Sequence, residues 1–340
     1  MSGRLKDGIR IIKKITPARL WNLVLLRISF LLSLSLKKVI HWGGPFAVSI
    51  EPTTSCNLRC PECPSGLRSF SRPTGMLDFD HFKIIIDQFT SNLSYLILYF
   101  QGEPFLNPDF CKFIRYASIK KIYTVTSTNA HFLNDDRARE TIESGLDKII
   151  ISIDGTDQDT YEKYRIGGNY NKVLEGIQNL SYWKKKLKKQ NPIVALQFLV
   201  FKFNQQQISE IKELHKKLST DQLYLKTAQI YDFHKGSELI PDNPHYSRYK
   251  KENGRYKIKN RFRNQCWRMW SSTVITWDGK VVPCCFDKDG KYVLGDLTKN
   301  SFYKIWNNTN YLKFREQILT ARKEIDICRN CTNGSNIWIS

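Results

Sequence analysis

The sequence predicts an α/β protein: a curved or closed parallel sheet of six strands with intervening helices, then a small α+β unit. Three observations predict it. Six short runs between residues 46 and 230 are apolar on both faces, as strands covered by helices on one side and core on the other must be. Helix-like stretches with start and stop signals separate them, which implies right-handed crossovers. After about Asp232 this alternation gives way to basic, turn-rich sequence.

The strand-like runs are Phe46 to Ile50, Tyr95 to Phe100, Ile122 to Ser127, Lys148 to Ile153, Ile193 to Val200 and Leu223 to Ile230. Asn107, before Pro108 and Asp109, reads as an N-cap with proline at the first helical position. Asn134, Asp135 and Asp136 open another helix that Gly145 closes. Helices over Asn171 to Leu187 and Gln206 to Leu218 complete the pattern. A binding site then belongs at the C-terminal ends of the strands. Beyond the connector, Ser272 to Cys285 reads as a hairpin turning at Asp278-Gly279. The expected divisions are 1–44, an apolar and basic helical segment; 45–232, the α/β core; 233–264, a basic connector; and 265–340, the small unit.

Hydrophobic residues make up 41% of the chain, which supports a sizeable core and excludes global disorder. The 53 Lys plus Arg exceed the 32 Asp plus Glu by 21. Such an excess suits solvated faces, a phosphorylated substrate, anionic lipid, nucleic acid or an acidic electron donor. Leu20 to Ile40 is strongly apolar and flanked by Lys13, Lys14, Arg19, Lys37 and Lys38. It reads as a helix packed on the core, lying in the plane of a membrane, or spanning one.

Nine cysteines carry the chemistry. They bunch at metal-ligand spacings without a secretory signal, which favours thiolates on metal in a reducing cytosol. Cys56, Cys60 and Cys63 lie directly after the first strand. Three thiolates on one loop can hold three irons of a four-iron cluster and leave the fourth open. Closed zinc explains them poorly, since it wants four ligands. Cys266, Cys284, Cys328 and Cys331 suit a closed four-iron cluster or zinc. Cys111 reads as packing.

The spacing C-x3-C-x2-C just past the first of six α/β strands resembles the radical S-adenosylmethionine (SAM) superfamily, from about residue 46 to 230. The later cysteines resemble the SPASM extension of that superfamily, in its shortened twitch form with one auxiliary cluster. The resemblance implies a partial (β/α)6 TIM-like barrel, a SAM-binding [4Fe-4S] cluster on three cysteines and an auxiliary [4Fe-4S] cluster on four. It implies reductive cleavage of SAM to a 5′-deoxyadenosyl radical that abstracts a hydrogen atom from substrate.

Further positions fit that resemblance one by one. Gly102, Glu103 and Pro104 stand where the family holds the SAM amino group, with Gln101 in place of its first glycine. Ser152 and Arg165 resemble the serine and arginine with which the sulfatase-maturating branch holds SAM, the arginine pairing with the methionine carboxylate. Asn129 fits a further SAM-contacting element. Glu62 stands where many members have an aromatic residue. Cys285, after Cys284, occupies the place of that branch's catalytic Asp and reads as a proton or hydrogen donor, or as an inert cysteine.

The resemblance implies oxidation of a small alcohol, sugar-type or lipid-linked substrate, the charge adding that it is anionic; a peptide substrate is the alternative. Acidic flavodoxin or ferredoxin is the expected reductant, and the cytoplasm is the expected location, with or without association with the inner face of the membrane. A zinc-bearing nucleic-acid-binding protein is the rival class, although no such motif supports it.

Overall fold

The structure, a computed structural model, describes residues 3–89, 91–259 and 262–331. The last nine residues of the expected 265–340 unit lie outside them. All six expected strands form: β1 (Ala47–Ile50), β2 (Tyr95–Ile97), β3 (Tyr123–Thr128), β4 (Lys148–Ser152), β5 (Ile193–Val200) and β6 (Gln222–Thr227). Each lies parallel to the one before. Two stop early. After β2 the chain bends toward Gly102, whose φ is +72°. After β6 the chain leaves the ladder and is held by the Tyr249 hydroxyl, which accepts from the Ile230 amide at 2.8 Å.

Local chemistry sets most of the helices between. Asn134 caps Asp135–Glu143 by accepting from the Arg137 amide, and Gly145 follows that helix at φ +85°. Asn169 caps Tyr170–Lys186 in the same way. Asn107 corrects the expectation: the helix begins at Phe110, and Asn107 is not its cap. It is buried, and its amide donates to the carbonyls of Pro52 and Leu77 at 2.8 Å each. Two buried carbonyls outweigh one helix end, because each would otherwise be stranded away from water.

Outside the first six strands, β7 (Tyr249–Glu252) and β8 (Arg255–Ile258) form a separate hairpin within the basic connector. The expected hairpin is β9 (Ser272–Ile275) and β10 (Lys280–Val282), turning at Gly279 with φ +80°, and β11 (Gly295–Asp296) extends it. Strand β9 also pairs parallel with β1 over four residues. The sheet therefore reads β11-β10-β9-β1-β2-β3-β4-β5-β6 and runs unbroken across residue 265. It is a partial barrel, its open side extended by the C-terminal hairpin.

Period-two alternation decides what each strand face meets. Val48, Leu96, Ile149, Ile151, Leu196 and Phe198 face the helices and share a core with Phe82, Phe113 and Ile177. Tyr123, Val125, Ile150 and Ala195 face inward and pack with Ile11 of α1 (Gly3–Lys14). This helix plugs the N-terminal end of the barrel. Its Asp7 meets Tyr123 and Lys148, and Lys14 pairs with Asp147 at 2.5 Å. The following helix, α2 (Pro17–Leu36), buries Leu26, Ser29, Phe30 and Ser33 and packs Phe30 edge-on against Trp267 and Trp270. Of the readings of Leu20 to Ile40, core packing is seen for this face of the helix.

Candidate active site

The C-terminal strand ends carry the site. Cys56, Cys60 and Cys63 follow β1 and sit with Leu58, Tyr164 and Phe201 in a small apolar cluster. Burial pushes the Cys56 thiol up to about 12 and raises Cys60 as well, against the pull of Arg165. Such thiols stay neutral until a metal displaces the proton. Among the described residues no three His, Cys, Asp or Glu converge on a single ion, and a multi-iron cluster spreads its ligands wider than one ion does. None of the nine cysteines is paired in a disulfide.

The turn after β2 packs against that loop. Gly102 donates its amide to Ser65 Oγ at 2.8 Å, and a Cβ there would stand 2.3 Å from the Thr53 carbonyl. Only glycine tolerates both that approach and its positive φ. Glu103 donates its amide to the Ser55 carbonyl at 2.7 Å, and its buried carboxylate accepts from Thr128 Oγ1 at 2.6 Å and the Asn129 amide at 2.8 Å. Burial raises this carboxyl to about 6 against those hydrogen bonds. Pro104 opens the short 3-10 turn that follows. Asn129 Nδ2 donates to Asn57 Oδ1 at 2.8 Å and lies 4.0 Å from Cys56 Sγ. Ser152 ends β4 on the inward face, opposite Gln197.

Arg165 reaches the same loop, with Nη1 3.9 Å from Cys60 Sγ. Its Nε donates to the fully buried Asp154 at 2.6 Å, and Asp154 also accepts from the Leu199 amide at 2.7 Å. Sequence reasoning missed Asp154, although it stands only two residues after Ser152. It missed Glu51 too. Glu51 is wholly buried and forms a two-pronged pair with Arg72 at 2.6 and 2.8 Å. The same carboxylate accepts from the Trp277 amide at 3.2 Å, tying β1, the segment after the cysteine loop and the C-terminal hairpin together. Glu62 accepts from the Tyr231 amide at 2.8 Å.

The later cysteines come from three segments. Cys266 precedes β9, Cys284 follows β10, and Cys328 and Cys331 lie around the final short helix. Cys284 lies within electrostatic reach of Cys266 and Cys331, and Cys328 of the same two. Burial pushes Cys328 up to about 12. Arg322 Nη2 lies 3.5 Å from Cys331 Sγ, while Arg268 and Arg248 stand near the group. Arg248 buries Nε and Nη1 without a hydrogen-bond partner. Burying a guanidinium beside sulfur is costly unless an anionic group answers it. These thiolates fit a cluster. Cys111 contacts Thr141 Oγ1 at 3.9 Å as packing.

Polar side chains lie between the two sets at the barrel mouth. Cys285 is exposed there, 3.1 Å from Arg268 Nη1. Lys226 on β6 donates to Gln197 Oε1 at 2.5 Å and stands within electrostatic reach of Arg268 and Cys285. Lys288 reaches toward Cys63 and Cys285 from the hairpin side and lies 4.5 Å over the Tyr231 ring.

A parallel partial barrel with a three-thiol loop at its C-terminal face and a four-thiol group beside it defines an iron–sulfur enzyme. Comparison with known proteins gives its family. Residues 50–214 match the Radical SAM superfamily, and residues 266–332 match SPASM, an iron-sulfur cluster-binding domain. The chain belongs to the radical SAM superfamily and carries a SPASM domain. It is 25% identical to the tungsten-containing aldehyde ferredoxin oxidoreductase cofactor-modifying protein of Pyrococcus furiosus over 83% of this chain and 86% of that one. It is 22% identical to the S-adenosyl-L-methionine-dependent 2-deoxy-scyllo-inosamine dehydrogenase of Niallia circulans over 85% and 93%. The solved structure of native anSMEcpe with bound AdoMet superposes with a TM-score of 0.63 at 15% identity, covering 84% of this chain and 88% of that one. Its cofactors are SAM, the SAM-binding [4Fe-4S] cluster and auxiliary [4Fe-4S] iron. The nucleic-acid-binding alternative is set aside by these matches.

Proposed function

We propose that this enzyme oxidises a small anionic alcohol or sugar-type substrate, free or lipid-linked, by hydrogen-atom abstraction. Cys56, Cys60 and Cys63 would hold the SAM-binding cluster, and Cys266, Cys284, Cys328 and Cys331 the auxiliary one. When bound, these groups supply the electron that cleaves SAM to the 5′-deoxyadenosyl radical and an acceptor for the electron the substrate gives up. The protein's own residues do the positioning. Glu103, held by Thr128 and Asn129, would accept from the SAM ammonium; Arg165, fixed through Asp154, would pair with its carboxylate; Gly102, Pro104, Asn129 and Ser152 would shape the seat.

The observation that carries the substrate class is the mouth itself. Three cations, Lys226, Arg268 and Lys288, surround Cys285 between the two cysteine sets. Such a cradle selects a phosphate or carboxylate group and orients the rest of the molecule. Cys285, beside Arg268, would exchange a proton with the substrate. Burial lowers Lys226 to about 8, so at neutral pH it remains a cation of this cradle. Cysteines at metal-ligand spacings suit a reducing cytoplasm, and the basic surface suits an acidic flavodoxin or ferredoxin as reductant.

The test is anaerobic turnover with substrates deuterated at one carbon. Deuterium recovered in 5′-deoxyadenosine from a phosphorylated or carboxylated alcohol supports the reading; transfer only from peptides replaces it with peptide modification. Reduction by flavodoxin should slow steeply as salt rises.

A further inference from the structure

The outward face of α2 is not explained by the radical chemistry. One face of this helix is fastened to the protein. Phe30 lies between Trp267 and Trp270, Ser33 Oγ bonds the Ile40 amide and carbonyl, and Trp270 Nε1 donates to Ile40 O. The opposite face shows Leu20, Val24, Ile28 and Leu31, spaced as one helical stripe, with Trp21 beside it. Leu20, Trp21 and Leu31 are 53%, 63% and 50% exposed. A groove of about 550 Å³ borders the stripe, and Trp21, Trp42 and Tyr303 line it. Trp42 and Tyr303 are themselves 45% and 79% exposed. A soluble surface scatters such side chains; here they are contiguous along one helix.

Charge narrows the occupant. Between Asp7 and Glu51 the chain has no acidic residue, while Arg10, Lys13, Lys14, Arg19, Arg27, Lys37 and Lys38 are basic. Lys14 and Arg19 are used internally, on Asp147 and on backbone carbonyls. Lys13, Arg27, Lys37 and Lys38 remain exposed around the stripe. A second copy of the same face would bring like charges together, which opposes self-association. An anionic bilayer answers both features: acyl chains for the leucines and isoleucine, headgroup-level seating for the tryptophans, phosphates for the lysines. The helix is too embedded on its inner side to span.

We propose that α2 docks this enzyme in the plane of an anionic lipid surface. Because α2 is clamped on the segment bearing Cys266 and Arg268, docking would hold the catalytic body rigidly at the interface.

The test is co-sedimentation of the reconstituted full-length protein with phosphatidylcholine vesicles, with and without phosphatidylglycerol. Binding to the anionic vesicles, released by salt and accompanied by a blue shift of tryptophan emission, is expected. The double variant Trp21→Glu, Leu31→Glu should bind on the order of tenfold or more weakly. Its iron content and dithionite-driven 5′-deoxyadenosine formation should stay at the wild-type level, which separates this surface from the radical chemistry. Failure to bind, binding indifferent to lipid charge, undiminished binding by the double variant, or concentration-dependent dimerisation through this face in place of vesicle binding would overturn the proposal.

Discussion

The two cysteine sets are built in opposite ways. The first is local: three thiols within eight residues of one loop, seated beside a buried carboxylate and an arginine already answered by Asp154. The second is assembled from three distant segments and is ringed by Arg248, Arg268 and Arg322. The difference suits two tasks. A site that must accept SAM needs a vacant corner and polar groups aimed at its charges. A site that only takes up an electron needs full ligation and compensating positive charge, which makes reduction easier.

The largest effects should come from removing ligands. With Cys56, Cys60 and Cys63 all changed to alanine, 5′-deoxyadenosine should fall to background while the auxiliary iron stays. With Cys266→Ala the reverse holds: about four of about eight irons are lost and SAM cleavage persists. Iron and sulfide analysis with product chromatography reads both, and equal loss from either change would erase the contrast.

Next is the clamp that joins the two regions. Arg72→Met leaves the buried Glu51 carboxylate unanswered and should cost about 3–5 kcal/mol of stability, read as a lowered Tm. A variant melting like the wild type would mean that the two regions are not coupled through Glu51.

A pH test sharpens the SAM side. Burial holds Glu103 at about 6, above its ordinary value of 4.5. Its contribution to stability is therefore present at low pH and fades as pH rises from about 4.5 to about 6. If Glu103 holds SAM as proposed, SAM binding should run the other way, weakening as the pH falls through about 6 and the carboxylate takes a proton. Equilibrium binding of SAM should lose this dependence in Glu103→Gln. The smallest effect expected is Thr128→Val, which removes one hydrogen bond to that carboxylate and should cost about 1.5–3 kcal/mol.

Arg322→Gln probes the auxiliary side. Losing a buried positive charge 3.5 Å from Cys331 should move the reduction potential of that site to more negative values in a redox titration followed by electron paramagnetic resonance.

What the sequence by itself determined was everything encoded over short spans. The six strands, the Asn134 cap, the Gly279 turn and the cysteine spacings are readable because residues a few positions apart set them. Asn107 shows the limit: its local signal is a helix cap, yet two carbonyls on distant loops claim its amide. Only the tertiary structure decided the partners that lie far apart in the chain. Glu51 with Arg72, Asp154 with Arg165, β9 beside β1, α1 in the barrel floor and the arginines around the later cysteines all depend on where the sheet curls. Burial gives those charges their meaning, and burial is a property of the folded whole.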